Sequence, residues 1–242
     1  MRFRGGHSVS TLDRVLAPPL VALLLVSAGA VTSAADSPAS TSAAQLVRRV
    51  GAAFAEESRG VIAFRSHALV RTSPRFVRPD QVDDAWIVDL DGRAVQVRGG
   101  DATGPAATEA MVHQPYDTRY TGEYRYTLVP CAGCAAGSVA VSYDTDTHDA
   151  AHGRGVIVVD ERTARVVRVT VAPFVVPRPA SGGTLTTTWG PTAAGWFPVA
   201  TDGTFSAHFG PFGGHATLTQ RFTSYKRYPD VRTAERDPPG HS

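Results

Sequence analysis

Gly60-Val61-Ile62-Ala63-Phe64-Arg65-Ser66-His67-Ala68-Leu69-Val70-Arg71 changes the period of this chain. Ahead of it, Leu46, Val50, Ala53 and Phe54 recur at helical spacing, while Arg48, Arg49 and Glu56 fall away from that stripe. Ser42 can cap a helix over about Ala43 to Glu57. Inside the quoted stretch the period is two. Ile62, Phe64, Ala68 and Val70 share one face of a strand, and Arg65, His67 and Arg71 share the other. One buried face and one wet face is the pattern of an antiparallel sheet.

The same period recurs downstream. Thr72 to Val82, with Pro74 and Pro79, reads as a loop and a candidate rim or lid; Trp86, Val88 and Leu90 then alternate up to a predicted hairpin turn at Asp91-Gly92. Ala94 to Arg98 returns, Gly99 to Gly104 breaks the sheet, and Pro105 can open a short helix through Gln114. Short strands follow at intervals of roughly ten residues: Tyr124 to Leu128, Val139 to Tyr143, Val156 to Val159, Arg165 to Phe174, Leu185 to Trp189, Trp196 to Thr201, Thr204 to Phe209 and Thr217 to Tyr225. Asp202-Gly203, Ser181-Gly182-Gly183 and Gly210 to Gly214 read as turns between them, and Arg232 to Ser242 as a polar, frayed tail.

The 242 residues are 43% hydrophobic and 19% charged, which allows one or two domains with an ordinary core and excludes a wholly disordered chain. No stretch reaches the ~20 apolar residues of a membrane-spanning helix. Arg2, Arg4 and Arg14, the apolar run Leu16 to Val26 and the small residues ending at Ala35 predict a secretory signal over 1–35, with an uncleaved anchor as the alternative. Residues 36–42 then form a linker. Taking three Arg from 24 basic residues, and Asp13 from 22 acidic ones, leaves 21 of each. No basic patch suggests nucleic acid as a partner.

The order of elements, together with Gly60 to Arg65, Ala85-Trp86-Ile87-Val88, Gly155-Val156-Ile157-Val158-Val159-Asp160, Trp189-Gly190-Pro191 and Arg221-Phe222-Thr223-Ser224-Tyr225-Lys226, resembles the LolA-like family of secreted and periplasmic carriers. The resemblance implies a domain over 43–228 followed by a flexible tail, 229–242. It implies an α+β, mainly β fold: a strongly curved antiparallel half-open barrel, with an N-terminal helix and a short helical insert on the concave face. It also implies a non-enzymatic role after export to the periplasm, cell envelope or medium: carrying or sensing a lipid, a lipoprotein acyl chain or another hydrophobic ligand. Sensor relatives contact a membrane regulator, which makes a protein-interaction domain the alternative. No cofactor is expected. Lipid-anchored relatives carry a Cys directly after the signal; here the first Cys is Cys131, so no lipid anchor is expected.

Ile62, Phe64, Val70, Trp86, Val88, Tyr124, Tyr126, Trp189, Phe205 and Phe222 are the candidate ligand lining. They would serve equally as a packed core. Cys131 and Cys134 are predicted to form a disulfide that pins a turn between two strands, because an exported chain pairs its cysteines and no helix follows as a redox motif requires. Asp144, Asp146, His148, Asp149 and His152 collect five metal-ligand types in one inter-strand loop. Asp149 stands where a calcium loop requires Gly, so the loop reads as solvated and no metal is assigned; a secreted metal-dependent enzyme using Asp144 to His152 is the third reading. His67, His113, His208 and His215 are scattered, and no catalytic set is assigned.

Overall fold

The period-two segments pair with one another into a single antiparallel sheet in the computed structural model, which describes residues 38–73, 80–90, 95–98, 113–176, 180–209 and 212–238. Helix α1 (Pro38–Glu57) leads into β1 (Val61–Ser73), β2 (Asp80–Asp89) and β3 (Val95–Arg98). A 3-10 turn at Thr121–Glu123 precedes β4 (Arg125–Val129), β5 (Ser138–Asp144), β6 (Gly153–Asp160), β7 (Arg165–Pro173), β8 (Ala180–Thr192), β9 (Gly195–Phe209) and β10 (Phe212–Tyr228), and α2 (Val231–Arg236) follows. The order across the sheet is β3-β2-β1-β10-β9-β8-β7-β6-β5-β4. Strand β10 returns to pair with β1, and β3 and β4 stand at opposite edges, so the sheet is not closed. This is the expected α+β, mainly β, half-open architecture.

The register places whole rows of side chains on one face. Leu128, Val141, Ile157, Val169, Thr187, Thr201, Gln220, Ala68 and Val82 stand opposite one another from β4 to β2. A parallel row runs Tyr126, Tyr143, Gly155, Val171, Leu185, Gly203, Leu218, Val70. This is the concave face. Helix α1 buries Ala43, Leu46, Val47 and Val50 against it, and Phe54 meets Tyr116 and Trp189 edge-on at 5.2 and 6.1 Å. On the other face the matching row from β5 to β9 is Ser142, Val156, Thr170, Thr186 and Asp202, and that face carries a groove of about 570 Å³ lined by residues that include Arg125 and Arg154.

Two glycine readings need correction. The turn expected at Asp202-Gly203 is the middle of β9, and Ser181 to Gly183 lies inside β8. A Cβ on Gly203 would meet Leu185 Cδ2 at 2.7 Å and Phe205 Cε2 at 3.0 Å; one on Gly183 would meet Phe205 Cδ1 at 2.4 Å. These glycines make room for large neighbours on a crowded face.

The expected polar tail contains a helix as well. Asp230 Oδ1 accepts from Thr233 N at 2.7 Å as an N-cap, and Ala234 packs with Val231 on Val61, Ala63, Ile87 and Tyr228 on the outer face. The start of α1 at Pro38 lies five residues before the predicted Ala43. Of the loop expected over Thr72 to Val82, Thr72 and Ser73 end β1 and Asp80 to Val82 open β2; residues 74–79, the hairpin at Asp91-Gly92 and most of the helix expected over Pro105 to Gln114 lie outside the described residues.

A β-bulge sets the far end of the sheet. Opposite Phe64, β10 inserts Ser224 and Tyr225, with Ser224 at φ 56°. The extra residue turns both Phe222 and Tyr225 toward Phe64, with ring centroids at 5.8 and 5.0 Å, and leaves Lys226 and Tyr228 for α2. Arg227 then donates to the carbonyls of Glu57 and Arg59 at 2.6 and 2.8 Å, capping the end of α1.

Cys131 and Cys134 are disulfide-bonded in the turn between β4 and β5, Cα atoms 5.5 Å apart. So short a loop restricts the unfolded chain little. Replacing both with Ala lowers unfolding stability by about 2 kcal/mol, with the fold kept, in denaturant titration. Gly203→Val forces Leu185 and Phe205 apart and costs about 1–3 kcal/mol by the same measurement.

Candidate functional site

All ten predicted lining residues face the concave side, in two clusters. Tyr124, Tyr126, Trp189 and Phe205, with Val70 against them, belong to the core beneath α1. Ile62, Phe64, Trp86 and Val88, with Phe222, form a second cluster that adds Phe197 and Tyr225. Phe64 stacks on Tyr225, and Tyr225 on Phe197 at 5.6 Å.

Polar side chains stand between the clusters. Ser66 accepts from Trp86 Nε1 at 2.9 Å, and the hydroxyls of Thr187 and Thr201 meet at 3.0 Å. Gln220, next in that row, is 0% exposed, and neither atom of its amide has a partner among the described residues. Each unmet amide group at such depth costs on the order of 1–3 kcal/mol. Sequence reasoning missed Gln220, though the signal is present: it occupies an apolar slot between Leu218 and Phe222 in a period-two strand. Asp84 faces the same side opposite Ser66. Burial, and then the neighbouring charge of Asp83, raise its carboxyl above the ordinary value.

The loop read as solvated, with its five ligand-type side chains, behaves differently residue by residue. Asp144 accepts from Thr145 N, Asp146 pairs with Arg125, and His148 packs on Phe174 with centroids 4.0 Å apart. Asp149 stays within the loop, accepting from Ala151 N and facing His152, and His152 turns toward two residues outside it, His113 and Glu123. Glu123 Oε2 lies 2.8 Å from His113 Nδ1 and 2.9 Å from His152 Nε2, and the three ligand atoms lie within 4.8 Å of one another. Asp149 Oδ1 lies 2.6 Å from the other nitrogen of His152. The backbone fixes this group: His113 N donates to Ala151 O at 2.6 Å, and Tyr124 Oη to His113 O at 2.8 Å. Tyr120 stacks on the His113 ring at 3.8 Å. Nothing local in the sequence links His113, Glu123 and His152, since they stand 10 and 29 residues apart in irregular chain.

No family model matches the chain, and no curated protein matches it. Solved structures do. A LolA superfamily protein from Nitrosomonas europaea is 8% identical, with a TM-score of 0.41 over 79% of this chain and 96% of that one. A DUF1329 family protein from Desulfovibrio piger is 9% identical, with a TM-score of 0.46 over 84% and 98%. The MucA/MucB complex of Pseudomonas aeruginosa is 11% identical, with a TM-score of 0.28 over 81% and 96%.

Asp84 gives a pH test. Its folded carboxyl holds a proton to higher pH than in the unfolded chain, so its ionised form opposes folding above that range and the penalty disappears as pH falls below the ordinary value of 3.8. Asp84→Asn therefore raises the melting temperature at neutral pH, and the difference from wild type closes as the solution is acidified.

Proposed function

We propose that this chain is a non-catalytic carrier or sensor of a hydrophobic ligand in the cell envelope, with residues 1–35 as its export signal and 43–228 as its binding domain. One observation carries the reading: a fully buried amide without a partner among the described residues, Gln220, set between two aromatic clusters on the concave face. A side chain needed only for packing would be apolar there. An acyl chain with a polar group would answer both features if the packed rings of Phe64, Trp86 and Phe222 part to admit the chain and the polar group meets Gln220. The LolA-like resemblance of the sequence supports the same class of ligand.

The energetics are adequate. Each CH₂ moved from water into such a site contributes about 0.8 kcal/mol, so a chain of about a dozen carbons supplies roughly 8–10 kcal/mol before ordering costs. That suffices for micromolar binding without a charged recognition group. The second reading, a domain that contacts a membrane regulator, has its own observation. β4 is an edge strand, and Leu128 on it is 42% exposed, where an added strand would pair.

Titration of the folded chain with a fluorescent fatty acid, competed by phospholipid, tests the carrier reading. Wild type binds saturably. Gln220→Leu removes the orphaned amide, so it keeps or raises the melting temperature by ending a penalty of about 1–3 kcal/mol, yet binds at least ~10-fold more weakly. Absence of saturable binding by folded wild type removes the carrier reading and leaves the strand-edge partner.

A further inference from the structure

We propose that His113, Glu123 and His152 form a binding site for a divalent first-row transition metal, zinc in the first instance, with Asp149 as the residue that orients His152. The site stands on these side chains and is independent of any ligand on the concave face.

A carboxylate only accepts hydrogen bonds, and a neutral imidazole has one donor. His152 has a carboxylate oxygen at each nitrogen, Asp149 at 2.6 Å and Glu123 at 2.9 Å, and its side chain is 6% exposed. His113 aims Nδ1 at the same oxygen of Glu123 from 2.8 Å. Two imidazole nitrogens thus converge on one carboxylate oxygen. A cation standing among the three atoms satisfies all of them with both rings neutral, leaving the His152 Nδ1–H to donate to Asp149.

The donor set and its support fit zinc. Two imidazoles and a carboxylate are ligands of borderline softness that suit zinc better than calcium or magnesium, which take oxygens. Zinc binds such atoms at about 2.0–2.2 Å, which sets tetrahedral ligands roughly 3.4 Å apart. Glu123 therefore withdraws by roughly half an ångström from each ring, and the two imidazole nitrogens, within 4.8 Å of each other, settle to the same spacing. A carboxylate on the far nitrogen of a ligating histidine is the usual second partner, since it fixes the tautomer and the ring plane. Asp149 occupies that place. The His113 ring is held by its backbone bond to Ala151 and by the face of Tyr120. Glu123 is 32% exposed on its side chain, so the fourth position is open to water or to an incoming group.

The experiment is zinc uptake by the full chain after chelator treatment, read by competition with a chromophoric chelator, with cobalt(II) as a spectroscopic probe of geometry. One metal per chain is expected, with visible cobalt bands of a four-coordinate site. His152→Ala and Glu123→Gln lower zinc affinity at least ~100-fold, and Asp149→Asn lowers it ~10–100-fold through the orientation of His152. His148→Ala, in the same loop but packed on Phe174, leaves the affinity unchanged. Circular dichroism confirms folding of each variant. Failure of folded wild type to take up zinc would falsify the site. So would stoichiometric uptake by the His113→Ala, His152→Ala double variant, or a loss in His148→Ala equal to that in His152→Ala.

Discussion

Curvature is the constraint on which this structure depends. A sheet that bends toward one face crowds the side chains on that face, and its cross-strand pairs must then be unequal in size. The rows show this directly. Tyr143 stands opposite Gly155, Leu185 opposite Gly203, and Phe205 opposite Gly183. A Cβ at Gly155 would fall 1.8 Å from Thr170 O, and Tyr143 Oη, which donates to that carbonyl at 3.2 Å, lies 3.0 Å from the same position. The missing side chains let rings lie flat across the inner surface. They fill it without pushing the strands apart.

The polar residues inside gain their meaning from that packing. Thr187 and Thr201 satisfy each other, and Ser66 satisfies the indole of Trp86, so four polar groups on the concave face are satisfied in two pairs. Gln220 is too long and carries both a donor and an acceptor, and its flanking positions across the ladder, Thr201 and Ala68, answer neither. Apolar residues flank it along β10, so a shift of one residue in register would have exposed Leu218 and Phe222. The register therefore holds Gln220 inside. The bulge at Ser224 ends this regime, since beyond it β10 serves α1 and α2.

The sequence showed its periods well and its contacts poorly. The helix before Gly60, the alternation through Val70, the regular spacing of later strands and the pairing of Cys131 with Cys134 follow from local chemistry, and each is present. All ten lining candidates were legible as one face because parity along a strand is local information. Glycine misled because it serves two purposes. Gly203 beside Asp202 looks like a turn unless Leu185 and Phe205 are known to need its space. α2 was legible from Asp230 and Thr233 as a cap pair, but a polar segment rich in Arg and Pro hid it. His113, Glu123 and His152 were beyond reach, because their meeting depends on where an irregular segment passes the β5–β6 loop.

That meeting has a structural logic of its own at the open edge. β4 is a boundary strand of five residues, and an unpaired edge must be protected or anchored. Its tyrosines supply the anchors. Tyr126 Oη donates to Pro115 O at 2.5 Å and lies 3.1 Å from Thr121 O, while Tyr124 Oη reaches His113 O. The segment before β4 is thereby folded back over its own strand. His113 N then bonds Ala151 O, which ties that segment to the hairpin loop two strands inward. Burial of these hydroxyl-bearing rings pushes the Tyr124 and Tyr126 phenols above their ordinary value, so they remain donors. The side chains of Glu123 and His152 project from the two ends of this tie. The chemistry gathered there is therefore a consequence of how a half-open sheet secures the edge it leaves unpaired.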